Sequence, residues 1–120
     1  MTPEETANLE AAKQWLKLWN EAADDMVDKC YAEDCMVEAM LSGHLLKGRE
    51  ELRALEHQMM AATPDRKMEI NRYIVKGDIV VVECTVVGLA PVPVKSCAIL
   101  TFKDGLIIND HSYGAPPSGE

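Results

Sequence analysis

The most constraining feature of the sequence is the change of pattern at Thr63-Pro64, where helical spacing gives way to strand-like runs. Four runs rich in valine, isoleucine and threonine follow, over residues 67–75, 79–88, 94–103 and 106–113. Short turns that contain Gly77 and Gly105 join these runs in pairs. The second half of the chain is therefore predicted to form two hairpins in one antiparallel meander.

The first half of the chain carries helical periodicity. Thr2, Pro3 and Glu5 have the spacing of a capping box with proline at the first helical position. An apolar stripe at helical spacing follows it, formed by Ala12, Trp15, Trp19, Ala22 and Met26. This pattern predicts a long amphipathic helix, then a short helix capped by Asp24-Asp25, a turn at residues 32–34, a strand over 35–40, a loop from Gly43 to Gly48, and a third helix from Arg49 to Ala62.

Helices followed by a mostly antiparallel sheet make an α+β layout. With 120 residues the chain is long enough for one hydrophobic core and too short for two ordinary domains. We expect a single domain over residues 1–114 and a flexible tail over residues 115–120, which contain two prolines and a glycine.

Charge and cysteine usage exclude several classes of function. The net charge of −8 disfavours nucleic acid as a partner. Cys30, Cys35, Cys84 and Cys97 lack zinc-site spacing and lie among apolar residues, so we expect reduced core cysteines and a cytoplasmic protein. No stretch approaches the roughly 20 apolar residues of a membrane span, and no secretory signal is visible. No metal site, phosphate loop or other cofactor motif is found, and none is expected.

Three motifs, taken in order, resemble a known superfamily. They are YAEDCMVE at residues 31–38, GREEL at 48–52 and FKDGLI at 102–107. Together they resemble the skeleton of the nuclear transport factor 2-like, or SnoaL-like, proteins, which include ketosteroid isomerases, limonene epoxide hydrolases and SnoaL-like polyketide cyclases. The resemblance implies a cone-shaped, curved antiparallel sheet wrapped around the N-terminal helices and enclosing an apolar pocket. It also implies a homodimer formed through the convex face of the sheet.

The resemblance does not extend to the catalytic residues of these families. The general base of the isomerases falls on Ala39, their oxyanion-hole tyrosine on Trp15, and their protonated aspartic acid on or near Ala98. The water-activating set of the epoxide hydrolases falls on Ala39, Cys84, Val86 and Ser112. Neither mechanism is therefore available in its usual form, because no ionisable base stands at these positions.

Two carboxylates remain as candidate catalytic groups. Glu56 lies between Leu52 and Met59 on the apolar face of the third helix, where a desolvated carboxylate serves as an acid or base or binds a polar group of the substrate. The alternative is that Glu56 reaches water at the edge of this face or accepts a hydrogen bond from Tyr31 or Trp15. For Asp110 strand alternation leaves both faces open, and the resemblance implies that it points inward with Ser112 and Gly114. The alternative for Asp110 is a structural aspartate near the pocket mouth.

The remaining candidates form the wall of the expected pocket. The residues predicted to contact a ligand are Trp15, Trp19, Tyr31, Ala39, His44, Met59, Cys84, Ala98 and Ser112. By resemblance Tyr31 matches a tyrosine of the isomerases' hydrogen-bond network, and His44 lies in a rim loop, although a lone loop histidine is more often plain surface. His57 is expected in solvent, and His111 and Glu83 on the convex face.

Two functions follow from this wall of tryptophan, methionine and valine with one or two carboxylates. In the first, the protein is a cofactor-free isomerase, cyclase or hydrolase, in which Asp110 and Glu56 move protons on a hydrophobic substrate of ring or terpenoid size. In the second, it is a non-catalytic domain that binds a hydrophobic ligand or serves as a dimeric accessory domain. The sequence does not name the substrate.

Overall fold

The computed structural model describes residues 1–114, so the predicted tail at residues 115–120 lies outside the described residues. Three helices and six strands follow one another: α1 (Pro3–Glu21), α2 (Ala23–Cys30), β1 (Tyr31–Ala39), β2 (His44–Lys47), α3 (Gly48–Ala62), β3 (Lys67–Lys76), β4 (Ile79–Val87), β5 (Val94–Lys103) and β6 (Leu106–Gly114). None of the helices within these residues is long and apolar enough to cross a membrane.

The capping box predicted at the start of α1 is confirmed. The Thr2 hydroxyl accepts a hydrogen bond from the Glu5 amide at 3.1 Å, and the Glu5 carboxylate accepts one from the Thr2 amide at 2.8 Å. The helix ends at Glu21, and Asp24 and Asp25 lie in the first turn of α2 without capping it. The predicted cap at these aspartates is therefore wrong, since the N-cap residue is Ala22, which makes no side-chain hydrogen bond there.

The strands form one six-stranded sheet in the order β2-β1-β6-β5-β4-β3. Strands β1 and β6 are parallel and every other neighbouring pair is antiparallel, so the sheet is mixed and mostly antiparallel, as predicted. The parallel pair arises because the last strand returns beside the strand that follows the first two helices. Helix α1 packs against β3 and β4, α3 packs against β1 and β2, and α2 contacts both helices. The α+β class is confirmed.

Two local predictions in the first half of the sheet are wrong. Residues 32–34 were expected to form a turn, but they belong to β1, whose register with β6 shifts between Tyr31 and Met36. Residues 44–47 were expected in a loop, but they form β2, which pairs with residues 36–39 of β1. The hydrogen bonds of β2 are made with β1, which is a separate segment of the chain. A four-residue sequence contains no local pattern that indicates such pairing.

A one-residue register shift in β6 decides which side chains face the helices. Phe102 pairs with Ile107 and Thr101 pairs with Asn109, which leaves Ile108 as the additional residue of a bulge. Ile107 and Asp110 are consequently both buried, although simple alternation places them on opposite faces. The predicted grouping of Asp110 with Leu106 and Ile108 is wrong for this reason, whereas its inward direction is the one the resemblance implied.

Gly88 fixes the end of β4 against the loop after α3. Its φ of +85° lies in the left-handed region, and a Cβ at this position would be 2.5 Å from the carbonyl oxygen of Asp65. Only a residue without a side chain allows this close approach. Gly88 thereby holds the segment that contains Arg66 against the sheet.

We expect Gly88→Ala to destabilise the protein far more than Gly77→Ala. Both residues have positive φ, but a Cβ at Gly77 meets no atom within 4 Å. Gly77→Ala should lower the free energy of unfolding by about 1–2 kcal/mol from backbone strain alone. Gly88→Ala adds the clash with Asp65 and should cost about 3 kcal/mol or more. Urea unfolding of the two variants measures the difference, and equal losses would contradict the packing argument.

Candidate functional site

A cavity of about 520 Å³ lies between the helices and the inward face of the sheet. Its wall is mostly apolar and takes residues from all three helices and all six strands. This volume is within the range of small-molecule sites, and a few polar groups in an apolar wall are typical of them. The polar side chains include Asp110, Glu56, Tyr31 and Ser112.

The structure brings together all of the predicted site residues around this cavity. Its wall includes Trp15, Trp19, Tyr31, Ala39, His44, Glu56, Met59, Cys84, Ala98, Asp110 and Ser112. His57 and His111 do not line it, and His57 instead contacts Asp24 on the surface at 2.7 Å. Glu83 pairs across strands with Arg72 at 3.0 Å, away from the cavity. The catalytic and ligand-binding roles of the wall residues remain predictions.

Asp110 is held by a chain of three hydrogen bonds. The indole Nε1 of Trp15 donates to the Tyr31 hydroxyl at 2.9 Å, and that hydroxyl donates to Asp110 Oδ2 at 2.7 Å. The Ser112 hydroxyl donates to Asp110 Oδ1 at 2.7 Å. Because the indole can only donate, the Tyr31 proton must point to Asp110. The carboxyl group is therefore fixed in one orientation while each of its oxygens retains a lone pair for another partner.

Burial controls the protonation of this network. Asp110 is only 2% exposed, and burial raises its pKa above the ordinary aspartate range. The hydrogen bonds from Tyr31 and Ser112 lower the pKa of Asp110, and the nearby charge of Glu56 raises it, without reversing the effect of burial. Burial and the adjacent Asp110 also raise the pKa of Tyr31 far above its usual value, so this hydroxyl keeps its proton. A carboxyl group with a raised pKa in a cavity is a typical general acid or base.

Glu56 is also buried, but it has a counterion that sequence reasoning missed. Its Oε1 accepts a hydrogen bond from Nη2 of Arg66, whose side chain is 1% exposed. The Arg66 guanidinium also stacks on Trp19, 3.7 Å from the ring centroid. Arg66 lies in the charged sequence Asp65-Arg66-Lys67, where arginine is usually solvated, so no local signal indicated its burial.

The other reactive side chains of the wall have limited chemistry. Burial raises the pKa of the Cys84 thiol to about 11, so it remains protonated and is a poor nucleophile, as the sequence suggested. His44 lines the cavity and is exposed, and its backbone amide donates a hydrogen bond to the Ser42 hydroxyl. Within residues 1–114 no group of three or more histidine, cysteine, aspartate or glutamate side chains is placed to hold a metal ion.

Comparison with protein families gives this architecture a name. The sequence profile of the SnoaL-like domain matches residues 12–109, which is most of the chain and spans α1 to β6. The chain belongs to the SnoaL-like domain family. No curated protein sequence matches this SnoaL-like domain.

Solved structures show the same fold as this SnoaL-like domain. An LEH-like epoxide hydrolase from M. tuberculosis is 23% identical with a TM-score of 0.79, over 93% of this chain and 85% of that one. A proposed SnoaL-like polyketide cyclase from Jannaschia sp. CCS1 is 19% identical with a TM-score of 0.82, over 95% and 89%. A proposed ketosteroid isomerase from Kribbella flavida DSM 17836 is 15% identical with a TM-score of 0.84, over 92% and 79%. These similarities establish the fold, which hosts several chemistries, and not the activity.

The raised pKa of Asp110 predicts a pH-dependent stability. The folded state binds a proton at Asp110 more tightly than the unfolded chain does. The protonated carboxyl thus stabilises the fold at low pH, and this contribution is lost as the pH rises from the ordinary aspartate range through the raised pKa. Asp110→Asn cannot ionise, so its free energy of unfolding relative to wild type should increase as the pH rises from the ordinary aspartate range through the raised pKa of Asp110.

Urea unfolding of the wild type and the variant at several pH values measures this change. Asp104→Asn, the same substitution at an exposed turn residue, is the matched control and should shift much less. A constant difference between Asp110→Asn and wild type across the pH range would contradict the burial argument.

Proposed function

We propose that this protein is an enzyme that needs no cofactor and in which Asp110 transfers a proton to or from a hydrophobic substrate. The observation that carries the proposal is the position of Asp110, an almost fully buried carboxyl group in the wall of an apolar cavity, oriented by Tyr31 and Ser112. Its raised pKa brings it closer to neutrality, where a general acid or base is most efficient.

The hydrogen-bond chain adapts Asp110 to proton transfer. When Asp110 removes a proton from the substrate, the hydroxyls of Tyr31 and Ser112 already donate to its two oxygens, and so no reorganisation is needed. While Asp110 holds that proton, the apolar wall stabilises its neutral form, and return of the proton to the substrate regenerates the carboxylate, which the two hydroxyl donors stabilise. The Trp15 indole keeps the Tyr31 hydroxyl directed at Asp110 throughout.

The reaction class follows from this single proton-transfer group. Isomerisation, ring closure and epoxide opening each need a proton moved on or off a substrate atom, or off an attacking water. The relatives with this fold include proteins described as isomerases, cyclases and an epoxide hydrolase, which supports this range of reactions. The cavity volume of about 520 Å³ and the apolar wall support a substrate of ring or terpenoid size.

Asp110→Asn should abolish most of the turnover. The test begins with a thermal-shift screen of steroids, epoxides and aromatic polyketides, and then measures turnover of the compounds that bind. Loss of a general acid or base lowers kcat by about 10²–10⁴-fold, while binding should persist because asparagine has nearly the same volume. Asp104→Asn should leave kcat unchanged. Unchanged turnover in Asp110→Asn would remove Asp110 as the catalytic residue.

A second candidate function is the binding of a hydrophobic ligand without catalysis. It is favoured by Trp15, Ala39 and Ala98, which line the cavity at the positions where the resemblance places catalytic residues of the isomerases. The same screen separates the two functions. If wild type binds some compounds of the panel tightly and turns over none of them, the result would favour a binding domain without catalysis.

We also propose that the protein forms a homodimer through the outer face of the sheet. Ile74, Val81 and Ile99 lie side by side across β3, β4 and β5 on this face, and Ile74 is 52% exposed. Val81 and Ile99 are partly buried, and a row of apolar side chains that reaches the surface of a sheet is typical of an interface. Val81→Lys should convert the dimer to a monomer in light scattering, because it places a charge in the centre of the row. A monomeric wild type would contradict the proposal.

The cytoplasm is the compartment we propose for this protein. All four cysteines are free, and three of them are buried in the core, as expected in a reducing environment.

A further inference from the structure

The two carboxylates of the cavity have different surroundings. Asp110 receives hydrogen bonds from neutral hydroxyl groups, whereas Glu56 is paired with the guanidinium of Arg66. Among the described residues that line the cavity there is no lysine or arginine. Arg66 does not line the cavity, because its guanidinium is buried behind Glu56 and Trp19 and contacts both side chains. The cavity therefore presents carboxylate oxygens to a ligand, and the one basic side chain among its described lining residues is the imidazole of His44, which is exposed.

One oxygen of Glu56 remains available to a ligand. Oε1 accepts the hydrogen bond from Arg66, while Oε2 has no hydrogen-bond partner within residues 1–114. In this part of the chain, two fully buried polar side-chain atoms lack a hydrogen-bond partner, and both are nitrogens of Arg66, Nε and Nη1. Glu56 Oε2 also lacks a partner, but it is not fully buried. Glu56 lines the cavity, and its Oε2 is neither hydrogen-bonded within these residues nor fully buried, which leaves this oxygen open to a partner.

We infer that Glu56, held in place by Arg66, is the anchor that accepts a hydrogen bond from a hydroxyl group of an uncharged, hydrophobic ligand. An ion-paired carboxylate can only accept hydrogen bonds, so the ligand must supply the donor. This inference rests on the proposed function only in placing the ligand in this cavity. Of the two roles that the sequence left open for Glu56, proton transfer and contact with a polar group of the substrate, it selects the second.

The charges around the site exclude the other classes of ligand. A carboxylated or phosphorylated ligand would meet two carboxylates and no cation in the wall, so its charge would be buried without a partner. An ammonium group would be attracted to Glu56 less strongly than to an unpaired carboxylate, because Arg66 already offsets the charge of Glu56. The ammonium group would also lose its hydration water on entering the apolar cavity. Compared with an ammonium group, a neutral hydroxyl group has a smaller desolvation cost when it donates the same hydrogen bond.

Glu56→Gln reverses the hydrogen-bonding role of this anchor and keeps an acceptor for Arg66, although it removes the counterion and should lower the free energy of unfolding. Nη2 of Arg66 needs an acceptor, so the glutamine oxygen must take the position of Oε1. The amide nitrogen then faces the cavity at the position of Oε2 and can only donate. The variant should therefore prefer a ligand with a carbonyl oxygen over the same ligand with a hydroxyl group.

Calorimetric binding of two matched pairs, menthol with menthone and testosterone with androstenedione, tests this reversal at neutral pH. Wild type should bind the alcohol of a pair about tenfold more tightly than the ketone, as expected for a hydrogen bond to a charged group. Glu56→Gln should reverse the order. An unchanged preference in Glu56→Gln would overturn the inference, and so would a wild type that prefers the ketones or binds none of the four compounds.

Two further variants keep the result independent of folding and of the proposed catalysis. The double variant Glu56→Leu/Arg66→Met replaces the buried pair with apolar groups, a change that proteins often tolerate, and it should bind alcohol and ketone equally. Retention of the alcohol preference in this variant would overturn the anchor. Asp104→Asn, at an exposed turn away from the cavity, should keep the alcohol preference of wild type. Failure of Asp110 as catalyst would thus appear in turnover, and failure of Glu56 as anchor in binding preference.

Discussion

The burial of Asp110 in an apolar interior is the interaction on which the site depends. An ionisable carboxyl group in such a place is costly unless its oxygens are hydrogen-bonded, and here Tyr31 and Ser112 donate one bond to each oxygen. Those donors come from β1 and β6, the parallel pair, while Trp15 on α1 fixes the direction of the Tyr31 hydroxyl. The network therefore joins the first helix to both strands at the centre of the sheet, and it holds a chemically active group at their junction.

A second buried carboxylate, Glu56, lines the same cavity, and it is stabilised by an ion pair instead of by hydroxyl groups. Glu56 and Arg66 form a pair in which removal of either partner would leave the other charge buried alone, which is the expensive way to alter such a pair. Nε and Nη1 of Arg66 have no hydrogen-bond partner among the described residues, so the pair leaves part of the guanidinium unsatisfied. One carboxyl group with a raised pKa and one with a fixed counterion give the cavity two distinct polar functions, and we assign proton transfer to the first and ligand positioning to the second.

The sequence predicted the fold in the regions where local patterns are strong. The capping box of α1, the alternating residues of β4 and the glycine turns of both hairpins each report their structure within a few residues. Predictions failed where the partner is distant. β2 is short and owes its conformation to β1, and the bulge at Ile108 depends on how β6 pairs with β5. Arg66 is buried because Gly88 holds its loop close to the sheet, a contact between segments with no shared pattern.

What the sequence determined by itself is the three helices, the four strands of the second half, the apolar wall and the two carboxylates that stand in it, because periodicity and residue type are local properties. The resemblance added the inward direction of Asp110. Only the tertiary structure decided the state of these groups. Whether a carboxylate is isolated, hydrogen-bonded or ion-paired depends on side chains brought from elsewhere in the chain, such as Tyr31 for Asp110 and Arg66 for Glu56. Electrostatic interactions act over a few ångströms of space regardless of separation along the chain, so the division of roles between Asp110 and Glu56 emerges only when the chain is folded.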